Sequence, residues 1–117
     1  MSTLTIYHNP RCSKSRQTLE LIHQANANVN IVEYLKDAPS AETLHDILTK
    51  LNVPVRSMMR IKEAEYKEQN LADESLSVDD LITAMVNTPK LMERPIVVKG
   101  EQACIGRPPE NVLELLK

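Results

Sequence analysis

The chain has no tryptophan and no phenylalanine, only three tyrosines and two glycines in 117 residues, and two cysteines. With so few aromatic rings the core must be built from Leu, Ile, Val and Met, and a nucleic-acid surface that stacks bases on aromatics is excluded. Net charge is −2 and no run of Lys or Arg appears, which excludes a non-specific polyanion binder. No apolar stretch approaches the roughly 20 residues of a membrane span. The N-terminus lacks a basic segment followed by an apolar one, so no secretory signal and no membrane partner are expected. Cys12 and Cys104 are too few for a disulfide framework, and no Cys-x-x-Cys or clustered His suggests a metal. The cysteine usage fits a reducing, cytoplasmic setting. Hydrophobic content of 42% and charged content of 26% are those of an ordinary globular protein, and the length suits one domain over residues 1–117.

What is present centres on His8-Asn9-Pro10-Arg11-Cys12-Ser13-Lys14-Ser15. An apolar strand, Leu4–Tyr7, precedes it, and a helical pattern starts near Ser13. A cysteine at that junction meets unpaired backbone N–H groups and the positive end of the helix dipole, both of which favour a thiolate. Ser13 and Ser15 offer hydroxyls, Lys14 and Arg16 offer charge, and His8 is close enough to assist, as a cation or as a donor. Cys12 is therefore read as a nucleophile, against the alternative that it is an inert core filler.

Along the chain, the first helix is expected over Ser13–Ala25 with Leu19, Ile22 and Ser15 on its inner side, and Asn26-Ala27-Asn28 ends it, Asn being an acceptable left-handed cap. Val29–Tyr34 reads as a second strand, completing a right-handed parallel βαβ unit. Ser40 caps a helix whose Leu44, Ile47, Leu48 and Leu51 form a stripe. Pro54 opens a short turn with Met58 and Met59 as packing residues. Lys62–Gln69 is charge-rich and reads as a solvated face or mobile segment. Ser77 and Asp80 form a capping box before the stripe Val78, Leu81, Ile82 and Met85, which Pro89 closes. Ile96-Val97-Val98 and Ala103-Cys104-Ile105 flank Lys99-Gly100 as a hairpin, and Pro108-Pro109 leads into a last helix with Val112, Leu115 and Leu116 inward. Cys104 is expected to be buried on its strand. His23 and His45 are given no function. The order is α/β: βαβ, a helical insert, then ββα, a thioredoxin-like fold with a mixed four-stranded sheet and helices on both faces. In such folds the reactive thiol heads the first helix, and a proline before the third strand, here Pro95, commonly lies opposite it with a cis bond.

Ile6-Tyr7-His8-Asn9-Pro10 with Cys12, Val55-Arg56 through Arg60, Arg94-Pro95-Ile96-Val97-Val98 and Arg107-Pro108 together resemble the glutaredoxin-coupled arsenate reductases, over essentially the whole chain. The resemblance implies that Cys12 attacks arsenate, that Arg60, Arg94 and Arg107 hold the oxyanion, and that His8 and Ser15 keep the thiol ionised. It implies no tightly bound cofactor, with glutathione and glutaredoxin as electron donors and partners, and the chain is expected to act as a monomer. Arginine suits a tetrahedral anion because its planar fork offers paired donors and stays charged. Arg94 and Arg107 are also placed by position, on the edge expected to face Cys12, whereas Arg11 and Arg56 are expected to be uninvolved. Position 15 is Ser where a dithiol enzyme would carry its resolving Cys, which points to an external thiol. Two rival readings share the fold. One is a glutathione-dependent thiol oxidoreductase without arsenate activity. The other is a redox-type transcription regulator docking on RNA polymerase, whose usual Cys-x-x-Cys is missing here.

Overall fold

The computed structural model describes residues 3–116. The chain packs as two compact units: one runs to Asp37 and resumes at Arg94, and the other is Ala38–Glu93.

In the first unit, β1 (Leu4–His8) pairs parallel with β2 (Val29–Glu33) and antiparallel with β3 (Ile96–Lys99), which pairs antiparallel with β4 (Gln102–Ile105). The sheet order is β2-β1-β3-β4, the mixed four-stranded thioredoxin-like sheet expected from the element order. Strand alternation puts Leu4, Ile6 and Val97 on one face. There they meet Ile22 of α1 (Ser13–Gln24) and Val112 and Leu115 of the C-terminal segment, with Leu19, Leu21, Cys104 and Leu116 packed around them. Burying each such aliphatic side chain is worth about 1.5–3 kcal/mol, enough to hold the parallel β1–β2 pair against its longer loop. The α1 helix ends as its Asn26 enters the left-handed region at φ 56°, and Gly100 turns the β3–β4 hairpin at φ +58°. The C-terminal segment is a 3-10 turn, Pro109–Val112, running into the last helix, α5 (Leu113–Leu116).

The second unit holds α2 (Ala41–Leu51), the 3-10 turn Val55–Met58, α3 (Ala64–Glu68), α4 (Val78–Asn87) and the 3-10 turn Pro89–Leu91. Ser40 accepts from the Thr43 N–H to cap α2, and Ser77 and Asp80 form a reciprocal capping box on α4. Leu44, Ile47, Met58, Met59, Leu81, Ile82, Met85, Leu91 and Met92 are buried.

Three expectations need correction. Lys62–Gln69 is not merely a solvated face: it contains α3, anchored by the buried Tyr66. Val78 is 45% exposed, because the first residue of α4 sits beyond the reach of the core, and Ala84 takes its place among the buried residues. Cys104 is only half-buried, since β4 is an edge strand. Among the described residues, no helix is long and apolar enough to cross a membrane.

Candidate active site

The site is built where β1 hands the chain to α1. Cys12 is the N-cap of the helix, in extended backbone conformation (φ −94°, ψ 122°), and its carbonyl accepts the first helical bond from the Arg16 N–H at 3.0 Å. A tight turn delivers it there: the Cys12 N–H donates to the Asn9 carbonyl at 3.0 Å, and the Arg11 N–H donates to Asn9 Oδ1 at 3.0 Å. Cys12 is nearly buried as a residue, with 9% of its surface accessible.

Opposing influences act on that sulfur. Burial alone would raise the thiol's pKa, because a thiolate loses its hydration. Against this stand the Ser15 N–H, the Arg94 guanidinium acting both as hydrogen-bond donor and as charge, and the Lys14 N–H, and the outcome is a pKa below the ordinary thiol value. The Cys12 side chain makes no capping hydrogen bond of its own; the N–H groups of the first turn and the Arg94 guanidinium lie near enough to favour its anion. Arg94 stands two residues before β3, and its peptide bond to Pro95 is cis. A second cis bond, Arg107–Pro108, follows β4.

His8, the last residue of β1, and Ser15, in the first turn of α1, pair with each other. Both are buried, and His8 Nδ1 lies 2.6 Å from Ser15 Oγ. The Asn9 N–H also donates to Ser15 Oγ, at 3.0 Å. The Ser15 hydroxyl is thus engaged by His8 and Asn9, while its backbone N–H serves the sulfur. Burial, opposed by nearby Glu33 and helped by Arg16, pushes His8 below its ordinary 6.5, so the ring is neutral near pH 7 and does not act as the cation that was one of two options. Nor does Arg16 stand over the sulfur: its guanidinium donates to the Pro10 carbonyl at 3.1 Å.

The remaining arginines fall in different places. Arg107 is exposed and follows Gly106, whose N–H donates to the Pro95 carbonyl at 2.9 Å. Arg60 lies in the second unit, where its guanidinium pairs with Glu63 at 2.6 Å. Arg11 is exposed, and Arg56 is a structural clamp, donating to Tyr66 Oη at 3.1 Å and to the carbonyls of Leu71 and Asp73 at 3.0 and 2.8 Å. Cys104 is pushed up to about 11 by burial, with no cation or N–H group opposing it. Two residues escaped the sequence reading. Asn9 shapes the loop through both its backbone and its side chain, signalled only by its place in the His-Asn-Pro run. Thr18, fully buried one turn beyond Ser15, donates to the Lys14 carbonyl at 2.8 Å and faces Gly106; its spacing from Ser15 was the available signal.

A helix N-terminus that acidifies a cysteine, with a cis-proline at the start of β3 and a guanidinium beside the sulfur, defines a thioredoxin-like protein. Residues 7–115 match the model of the ArsC family, and the chain belongs to that family. It is 46% identical over 115 residues to an arsenate reductase of Haemophilus influenzae, covering 97% of this chain and 99% of that one. It is 56% identical over 112 residues to the uncharacterized protein YfgD of Escherichia coli, covering 95% and 94%. The solved structure of an arsenate reductase from Vibrio cholerae is similar with a TM-score of 0.94 at 51% identity, covering 97% of each chain.

Proposed function

We propose that this chain is a cytoplasmic, monomeric arsenate reductase in which Cys12 is the nucleophile. The observation that carries this reading is the acidified sulfur of Cys12 beside Arg94 at a helix N-terminus; family membership and the arsenate reductases among its relatives support the substrate. The Cys12 thiolate attacks arsenic, a protonated hydroxyl of the arsenate leaves as water, and a sulfur–arsenic bond forms. Arg94, already charged and oriented, offsets the oxyanion charge of the adduct without reorganising. His8 and Ser15 keep the first turn of α1 in register, so that the Ser15 N–H stays aimed at the sulfur. A glutathione thiol then adds to the adduct. The two sulfurs supply the electron pair that takes arsenic(V) to arsenic(III), arsenite departs, and glutaredoxin reduces the resulting mixed disulfide. No resident cofactor enters this scheme. The absence of a cysteine at position 15, and the poor acidity of Cys104, favour an external thiol over an internal one.

The family resemblance also assigns Arg107 and Arg60 to the oxyanion, and alanine at either is expected to raise KM for arsenate more than it lowers kcat. The decisive measurement is arsenite production with glutathione and glutaredoxin, wild type against Cys12→Ser. Turnover should vanish in the variant. Equal turnover in both proteins removes Cys12 from the reaction, and none in either returns the chain to the thiol oxidoreductase reading.

A further inference from the structure

A cleft of about 260 Å³ opens in the sheet unit, with His8–Arg11 on one wall and Glu33, Leu35 and Lys36 on the other. It lies past the carboxyl ends of the parallel pair β1 and β2, whose last residues, His8 and Glu33, are register partners. Carboxyl ends of parallel strands are where open α/β sheets place ligands. Its first wall ends at Arg11, the residue that precedes Cys12 in the chain, and the Cys12 N–H donates back to the Asn9 carbonyl of that wall at 3.0 Å.

The charges of this cleft do not suit a bare oxyanion. Arg11 and Lys36 are exposed cations, but Glu33 lines the same cleft: its carboxylate lies 3.5 Å from Lys36 Nζ, and its charge acts on the His8 ring. A carboxylate facing the cleft repels arsenate, while it welcomes an ammonium group. Two cations and one anion around a small cavity match a zwitterion that carries more than one carboxylate. The Glu33–Lys36 pair is open to solvent, so a ligand exchanges into it at little cost. Leu35, half exposed on its own, and Pro10 supply apolar surface for the aliphatic part of such a ligand. The volume holds the amino-acid end of a peptide and leaves the rest outside. A tripeptide extends about 10 Å, at 3.3–3.6 Å per residue, so one anchored here by its amino-acid end projects its central thiol out of the cleft, whose wall runs on in the chain to Cys12.

We propose that this cleft is the subsite for the peptide thiol that resolves the Cys12 adduct, with Glu33 receiving the α-ammonium and Arg11 and Lys36 the carboxylates. This rests on the reductase reading for its purpose, but its test does not pass through arsenate. Unreactive S-methylglutathione, titrated into the whole protein by amide NMR, should shift Asn9, Arg11 and Glu33 through Lys36. The Arg11→Ala/Lys36→Ala double variant should bind it about tenfold more weakly, as two part-exposed charges are lost, and Arg11→Lys should recover most of that arm. Glu33→Gln should weaken S-methylglutathione but not an analogue lacking the amino group. Lys67→Ala, a surface change in the other unit, serves as the control and should bind like wild type. Shifts confined to Pro95's strand and Gly106, or affinities within twofold across all cleft variants, overturn the proposal. Because the probe cannot react and no arsenate is present, a protein inactive toward arsenate still reports on the cleft.

Discussion

Replacing Arg94 with alanine withdraws from Cys12 a charge and a hydrogen-bond donor together, leaving the Ser15 and Lys14 N–H groups to hold the anion against burial. Alkylation of Cys12 by iodoacetamide at neutral pH should slow about tenfold, within the worth of one charge-assisted hydrogen bond, and the whole rate–pH curve should move to higher pH. An unchanged curve would show that the helix terminus alone suffices. His8 gives a second dependence. Its pKa is lowered in the fold, so between that value and 6.5 the unfolded chain binds more protons, and stability rises with pH across that window. The contribution is present above 6.5 and is lost as the pH falls through the folded value. Urea midpoints measured from pH 7 down to pH 5 should fall, and fall less in His8→Gln. At this scale Cys12 and Arg94 were legible because each sits at a junction: one before a helix, the other before a strand-opening proline. The neutral state of His8 was not legible, since it depends on burial winning over the charge of Glu33, a residue distant in sequence.

Elements announced by local chemistry were read closely, and those made by tertiary contact were missed. Ser40 and Ser77 declare the starts of α2 and α4 because a side-chain oxygen must meet an orphan N–H. In contrast, α3 has five residues with one buried side chain, Tyr66, and is held in part by Arg56 from ten residues upstream. Arg56→Ala leaves the Leu71 and Asp73 carbonyls without that donor and should cost about 1–3 kcal/mol in a denaturant titration. The approach of β4's end to α1 is equally tertiary. A Cβ on Gly106 would stand 2.6 Å from Thr18 Oγ1 and 2.8 Å from Pro95 Cγ. Gly106→Ala should therefore destabilise by about 1–3 kcal/mol through overpacking. Adding Thr18→Ala should return part of that loss; a purely additive pair would rule out the clash as the cause.

Over the whole molecule, the scarcity of aromatics is answered by methionine. Met58, Met59, Met85 and Met92 are each at most 3% exposed, and all four lie in the Ala38–Glu93 unit. Flexible thioethers fill irregular gaps that rings would otherwise fill. Mild peroxide should leave all four intact in the native protein and oxidise them together once that unit opens in denaturant, read by peptide mass spectrometry; early oxidation of one alone would mean that the unit opens piecemeal. The element order pointed to the sheet topology because βαβ followed by ββα leaves few ways to pair four strands, whereas the division into two compact units has no counterpart in composition or linker signals. The contrast between the chain's two sulfurs reaches beyond catalysis. One is acidified at a helix end and the other is held neutral on an edge strand, up to about 11. A maleimide dye at neutral pH should therefore load one equivalent per chain, giving a single reporter position with no cysteine engineered in or out.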